Sequence, residues 1–245
     1  MNDFADNLAR HRREEHGLDP ISGSLREIVY GGNDGIVTTF AVVAGFAGAG
    51  SDGAAGVGAI AVLLFGLANL LADATSMGLG AFLSARSHND VYAAQRAQHM
   101  REILETPEQE RDEAVALLVS RGVSPGDAAA LAEIYGRNPE LMADFMMRYE
   151  LGMSHPEDGN PAADGFKTFL SFMVFGTIPL LPYFLLPPVE STFQLAVGAT
   201  LMALVLLGLL RWRVTGEGLI RCVAETVLVG GICAVVAYAV GLAFR

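Results

Sequence analysis

Five apolar stretches, each close to or above the roughly 20 helical residues needed to cross a bilayer core, leave few folds open to this chain. They run 28–50, 54–82, 166–186, 193–210 and 219–244. The breaks carry turn chemistry, in Gly50-Ser51-Asp52-Gly53, Pro187-Pro188 and Thr215-Gly216-Glu217-Gly218. Pro179 and Pro182 predict a kink in the third stretch. Gly45, Gly48, Gly66 and Gly230-Gly231 suit close helix packing in lipid. The expected class is an all-α integral membrane protein with five transmembrane helices. A hydrophobic content of 52%, high for an ordinary soluble domain, agrees.

The formal charge is −11, so no basic surface is on offer to nucleic acid phosphates. Residues 1–24 are polar, with His11, Arg12 and Arg13, and lack the apolar core of a cleavable signal peptide. Cys222 and Cys233 lie in an apolar run without CxxC spacing and read as packing residues.

Orientation follows from Lys and Arg. Arg10, Arg12, Arg13 and Arg26 precede the first stretch; Arg86, Arg96 and Arg101 follow the second; Lys167 opens the third; Arg211, Arg213 and Arg221 separate the fourth from the fifth. The expected topology places the N-terminal tail (1–24) and residues 87–163 in the cytoplasm and the C-terminus outside. Transmembrane helices 1–2 then occupy 25–86 and helices 3–5 occupy 164–245.

Segment 87–163 is polar and holds fourteen Asp and Glu against six Arg. Three helical pieces are readable: 88–105 continuing the second span, 107–121, and a region from Ser124 to about Met153 broken near Gly136. Ser124-Pro125 and Asn138-Pro139 each read as a cap followed by a first-turn proline. His99 and Glu102 are three apart and share a helix face, as do Glu110 and Glu113 beyond Pro107. Met146 and Met147 stand four and three residues before Glu150. Carboxylate, imidazole and thioether donors together suit a borderline transition metal such as Fe(II) rather than calcium or magnesium. The plainer reading is an acidic solvated face with core methionines, and Glu105, Glu108 and Asp112 read as solvated charges.

Charge within a membrane span is costly and marks a candidate site. Asp34 lies about 12 Å along the first span from Arg26, and Met77 about 13 Å from Arg86 on the antiparallel second span. The two therefore sit at similar depth. Asn69, Asp73 and Met77 recur every four residues and form one stripe. Glu225 can pair with Arg221, one turn before it.

"REIVYGGNDGIVTTFAVVAGFAGA", "LADATSMGLGAFLSARS", "HMREILETPEQERDEA" and "NPELMADFMMRYELGM", in that order, resemble the vacuolar iron transporter family over nearly the whole chain beyond residue 24. The resemblance implies a homodimer with a path along its interface and a cytoplasmic three-helix metal-binding domain. It implies export of Fe(II) from the cytosol by proton antiport. Mn(II) is an alternative cargo, Mn(II) or Zn(II) are alternative ions for the domain, and no prosthetic group is expected. Carried over by motif, the metal ligands are His99, Glu102, Glu110, Glu113, Met146, Met147 and Glu150. The transport path holds Asp34 and Met77. Two positions depart from the family pattern. His99 stands where the family has glutamate, and an imidazole's proton competes with metal near pH ~6.5. Asn69 stands where eukaryotic members have glutamate, and Asp73, one turn on, is placed to supply that charge.

A bacterial inner membrane is the location expected from the Ala-, Val- and Gly-rich composition. The competing reading is a membrane-anchored metal buffer or sensor. An enzyme is disfavoured: the sequence offers no nucleophile–base set, no HExxH and no nucleotide-binding loop.

Overall fold

The computed structural model describes residues 22–48, 55–156, 159–186 and 190–243. Most of the N-terminal tail and the turns expected at Gly50–Gly53 and Pro187-Pro188 lie outside the described residues. Regular structure among those described is entirely helical. A short 3-10 turn, Ser22–Ser24, leads into α1, Leu25–Gly48. Then come α2, Ala55–Glu105; α3, Pro107–Ser120; α4, Pro125–Gly136; and α5, Pro139–Tyr149. The chain continues through α6, Pro161–Thr177; a 3-10 turn, Ile178–Leu180; α7, Leu181–Leu185; α8, Glu190–Thr215; and α9, Leu219–Ala243. The kink expected from Pro179 and Pro182 is this 3-10 interruption, where the missing N–H groups break the α-helical ladder.

Two compact units result: residues up to Phe82 together with those from Ala162 on, and Leu83–Pro161. The 51-residue α2 contributes its first part to one unit and its last part to the other.

Among the described residues, four helical segments are long and apolar enough to cross a membrane: Ile60–Glu105, Pro161–Leu185, Ser191–Thr215 and Leu219–Ala243. Five were expected. The 24-residue α1 spans about 36 Å and is long enough, but Asn33, Asp34 and five glycines dilute its apolar content. It is nonetheless a central packing element, pressed against α8 and α9. Glycines set the close approaches. A Cβ added at Gly35 would stand 2.5 Å from the Phe172 carbonyl oxygen, and one at Gly165 2.6 Å from that of Gly78. Ser171 Oγ donates to the Ile28 carbonyl at 2.7 Å, so α1 and α6 are joined by a hydrogen bond as well as by packing. Phe40, Val43, Leu70, Ala74, Phe172 and Leu180 form the main apolar cluster. Ile60, Leu64, Leu71, Val229, Ile232 and Val236 are exposed, which suits a surface bathed by lipid.

The second unit is a helical bundle with its own core of Ile103, Ala114, Leu118, Ala128, Ala132, Met142, Phe145 and Met146. The third sequence piece is two helices, split after Gly136 as expected. At α3's end Gly122 adopts φ +93°, while its N–H reaches Val119 O and that of Val123 reaches Leu118 O. This is a Schellman cap, and a side chain at that φ would be strained. Ser124 Oγ caps α4 by accepting from Asp127 N–H at 3.2 Å. Asn138 behaves differently from expectation. Its side chain does not cap α5 but donates backwards to the Ile134 carbonyl at 2.8 Å, closing the end of α4.

Candidate metal centre

His99 and Glu102 occupy the last turns of α2. Pro107 cannot donate an N–H, so α2 stops at Glu105 and α3 starts at the proline, its favoured first position. The tight corner keeps the pairs together: Thr106 N–H reaches Glu102 O at 2.8 Å, and Glu110 N–H reaches Thr106 O at 3.2 Å. His99 Nδ1 then lies 3.5 Å from Glu102 Oε2 and 3.9 Å from Glu110 Oε2. On the other side of the ring, Nε2 lies 3.6 Å from Glu150 Oε2 at the C-terminal end of α5. One donor atom each from His99, Glu102 and Glu110 falls within 4.8 Å of the others, close enough for a single cation to touch all three.

Burial separates this cluster from an ordinary acidic surface. Glu110 is 4% exposed and His99 7%. Glu110 Oε2 and His99 Nδ1 are both buried without a hydrogen-bond partner among the described residues. Such groups are costly, and an ordered water or a bound ion is what ordinarily answers them. Burial, and then the charge of Glu113, push the Glu110 carboxyl above its ordinary range; His99 opposes, while Glu102 and Glu150 add to the rise. A site that crowds carboxylates in this way favours a cation over empty space.

Glu113 accepts from Gln109 at 3.1 Å and Glu102 from Gln98 at 2.9 Å, so each is held by an i,i+4 partner. Both methionines are fully buried. Met146 packs in the apolar cluster, as the plainer reading had it, whereas Met147 joins none of the apolar clusters among the described residues. Glu105, Glu108 and Asp112 are exposed, as expected of solvated charges. Arg96 entered the sequence analysis only as a marker of orientation, and its structural role was not foreseen. Its Nε donates to Asp144 at 3.0 Å and its terminal nitrogen to Glu140, so one α2 cation ties two carboxylates of α5. The signal was present in the i,i+4 spacing of Glu140 and Asp144.

In the first unit Asn69 Nδ2 donates to Asp73 Oδ2 at 2.7 Å. Asn69, Asp73 and Met77 run along the edge of the buried Gly66–Leu70–Ala74–Gly78 face of α2, half-buried. Asp34, also half-buried, lies within electrostatic reach of Asp73, one turn from Met77. Ala41, Val42, Gly45 and Phe46 of α1 and Phe65, Ala68, Asn69 and Ala72 of α2 line an open cavity of about 660 Å³. Glu225 pairs with Arg221 at 3.0 Å, as expected, and also with Arg211 at 3.1 Å.

Helices long and apolar enough to cross a membrane, joined in one chain to a helical unit with a buried histidine–carboxylate cluster, define an integral membrane protein. The chain belongs to the VIT family, which matches residues 25–242. It is 33% identical over 232 residues to "Vacuolar iron transporter 1" of Arabidopsis thaliana, covering 94% of this chain and 89% of the relative. To the protein of that name from Oryza sativa subsp. japonica it is 31% identical, covering 99% and 94%. "Vacuolar iron transporter" of Plasmodium falciparum (isolate 3D7) is 32% identical, with 99% and 89% covered. The relatives are transporters by name, in keeping with a protein that is not an enzyme. They are also vacuolar by name, which lends no support to the bacterial inner membrane expected from composition.

Proposed function

We propose that the protein is an iron transporter that exports Fe(II) from the cytosol by proton antiport, accepts Mn(II) as a second cargo, and works as a homodimer. The observation that carries this reading is the buried cluster of His99, Glu102 and Glu110, with two orphaned donor atoms, in a chain whose relatives are named iron transporters. Imidazole nitrogen beside carboxylate oxygen suits a borderline divalent ion. In this reading Leu83–Pro161 is a cytoplasmic domain that gathers metal from the cytosol, with Glu113, Met146, Met147 and Glu150 around the three central donors. Asp34, Asn69, Asp73 and Met77 supply the path through the membrane. An ion leaving water needs such donors, because bare charge in hydrocarbon is prohibitive. Asp73, held by Asn69, is the carboxylate that couples protons to metal.

The test is Fe(II) uptake into proteoliposomes, with a lumenal dye following pH. Uptake accompanied by proton efflux is the expected result. Fe(II) binding without flux in either direction would make the chain a membrane-anchored metal buffer instead.

A further inference from the structure

Resting on the metal-binding reading of the second unit, we propose that His99 meets the cation through Nδ1 and that Glu150 is a positioning residue. Glu150 accepts the Nε2–H of that imidazole instead of ligating the same ion. A neutral imidazole has one lone pair and one N–H, so only one of its nitrogens can bind metal at a time. The two faces of the His99 ring are unequal. Two carboxylate oxygens, from Glu102 and Glu110, converge on Nδ1, and one, from Glu150, faces Nε2. Both buried orphaned atoms of the cluster, Nδ1 and Glu110 Oε2, lie on the first side. A cation there satisfies both at once, whereas a cation at Nε2 leaves Glu110 Oε2 unanswered.

With Nδ1 given to metal, Nε2 carries the proton and points at Glu150 Oε2. The separation of 3.6 Å is a few tenths of an ångström beyond hydrogen-bond length. Glu150 sits at the end of α5 with its side chain 36% exposed, so it can close that gap without disturbing packing. A carboxylate on the second ring nitrogen fixes the tautomer and ring orientation of a metal-binding histidine. With Nδ1 on the metal, Glu150 supports the imidazole rather than ligating the ion.

The experiment measures Zn(II) binding to the full chain in detergent by calorimetry, for the parent, Glu150→Gln and Glu150→Ala. A glutamine carbonyl still accepts the Nε2–H but is a poor replacement for a ligating carboxylate. Glu150→Gln should bind nearly as tightly as the parent, and Glu150→Ala should lose about 10-fold or more, as support residues of metal-bound histidines do. Equal loss in the two variants would overturn the assignment. Nitrogen-15 NMR of the Zn(II)-loaded, histidine-labelled parent should show an Nδ1-metallated, Nε2-protonated ring that disappears in His99→Gln. An Nε2-metallated ring would also overturn it. A parent that binds no Zn(II) would sink the metal-site reading itself, an outcome distinct from tight binding with the wrong nitrogen.

Discussion

Glu110 shows how a single side chain can trade stability for cation binding. Its carboxyl is buried, partly unpartnered and raised above its ordinary range. In the unfolded chain it ionises at the usual pH of about 4.3. Between that pH and the raised folded value, the folded protein holds more protons than the unfolded one. Stability without metal therefore falls as pH rises through this window and stays low above it. Glu110→Gln removes the charge and keeps the shape. It should raise the metal-free Tm at neutral pH by a few degrees, about 1 kcal/mol corresponding to ~2–4 °C in a chain of this size. It should also abolish the Tm rise that Fe(II) or Zn(II) gives the parent. A variant with lower metal-free Tm and an intact metal response would contradict this account of the site. Met77 offers a second case. A thioether helps a borderline ion more than a harder one, so Met77→Ala should cut Fe(II) uptake into proteoliposomes several-fold more than Mn(II) uptake; equal losses would make it packing only. The pairs His99–Glu102 and Glu110–Glu113 were legible because three-residue spacing shares a helix face. Their burial was not, since spacing says nothing of what covers that face. For the same reason Met146 and Met147 looked equivalent in sequence and only packing separates them.

At the scale of the helix, two contacts hold the candidate sites in shape. Gly35 presses α1 against the α6 backbone at Phe172. Gly35→Val should force the helices apart at a cost of about 1–3 kcal/mol, the usual penalty for overpacking, and a thermal melt in detergent should show it as a Tm loss of several degrees. An unchanged Tm would mean the two helices are not pressed together there. Arg96 ties α5 to α2 through Glu140 and Asp144. Exposed ion pairs contribute only about 0.2–1 kcal/mol each, so Arg96→Ala should leave the fold intact. It should still weaken Zn(II) binding several-fold, because α5 carries Met147 and Glu150; undiminished affinity would show that α5 is placed by its apolar core alone. Helix starts at Pro107, Pro125 and Pro139 were readable because proline at the first turn has a fixed φ and no N–H to lose. The backward hydrogen bond of Asn138 was not readable, because an asparagine between two helices can serve either end.

For the whole molecule, the membrane class was plain in the sequence, since long apolar runs can satisfy their backbone in lipid only as helices. α1 was read as a full span from its length, yet it falls short of the other four in apolarity, because Asp34, its candidate path residue, and Asn33 among its glycines dilute it. In the proposed mechanism Fe(II) crosses the membrane by way of Asp34, exchanged for protons. The direct measurement is initial Fe(II) uptake into proteoliposomes with an acidic lumen, comparing the parent with Asp34→Ala protein matched for elution by size exclusion. Uptake by the parent should slow when the pH gradient is collapsed, and uptake by Asp34→Ala should stay at background. Full uptake by Asp34→Ala would contradict it.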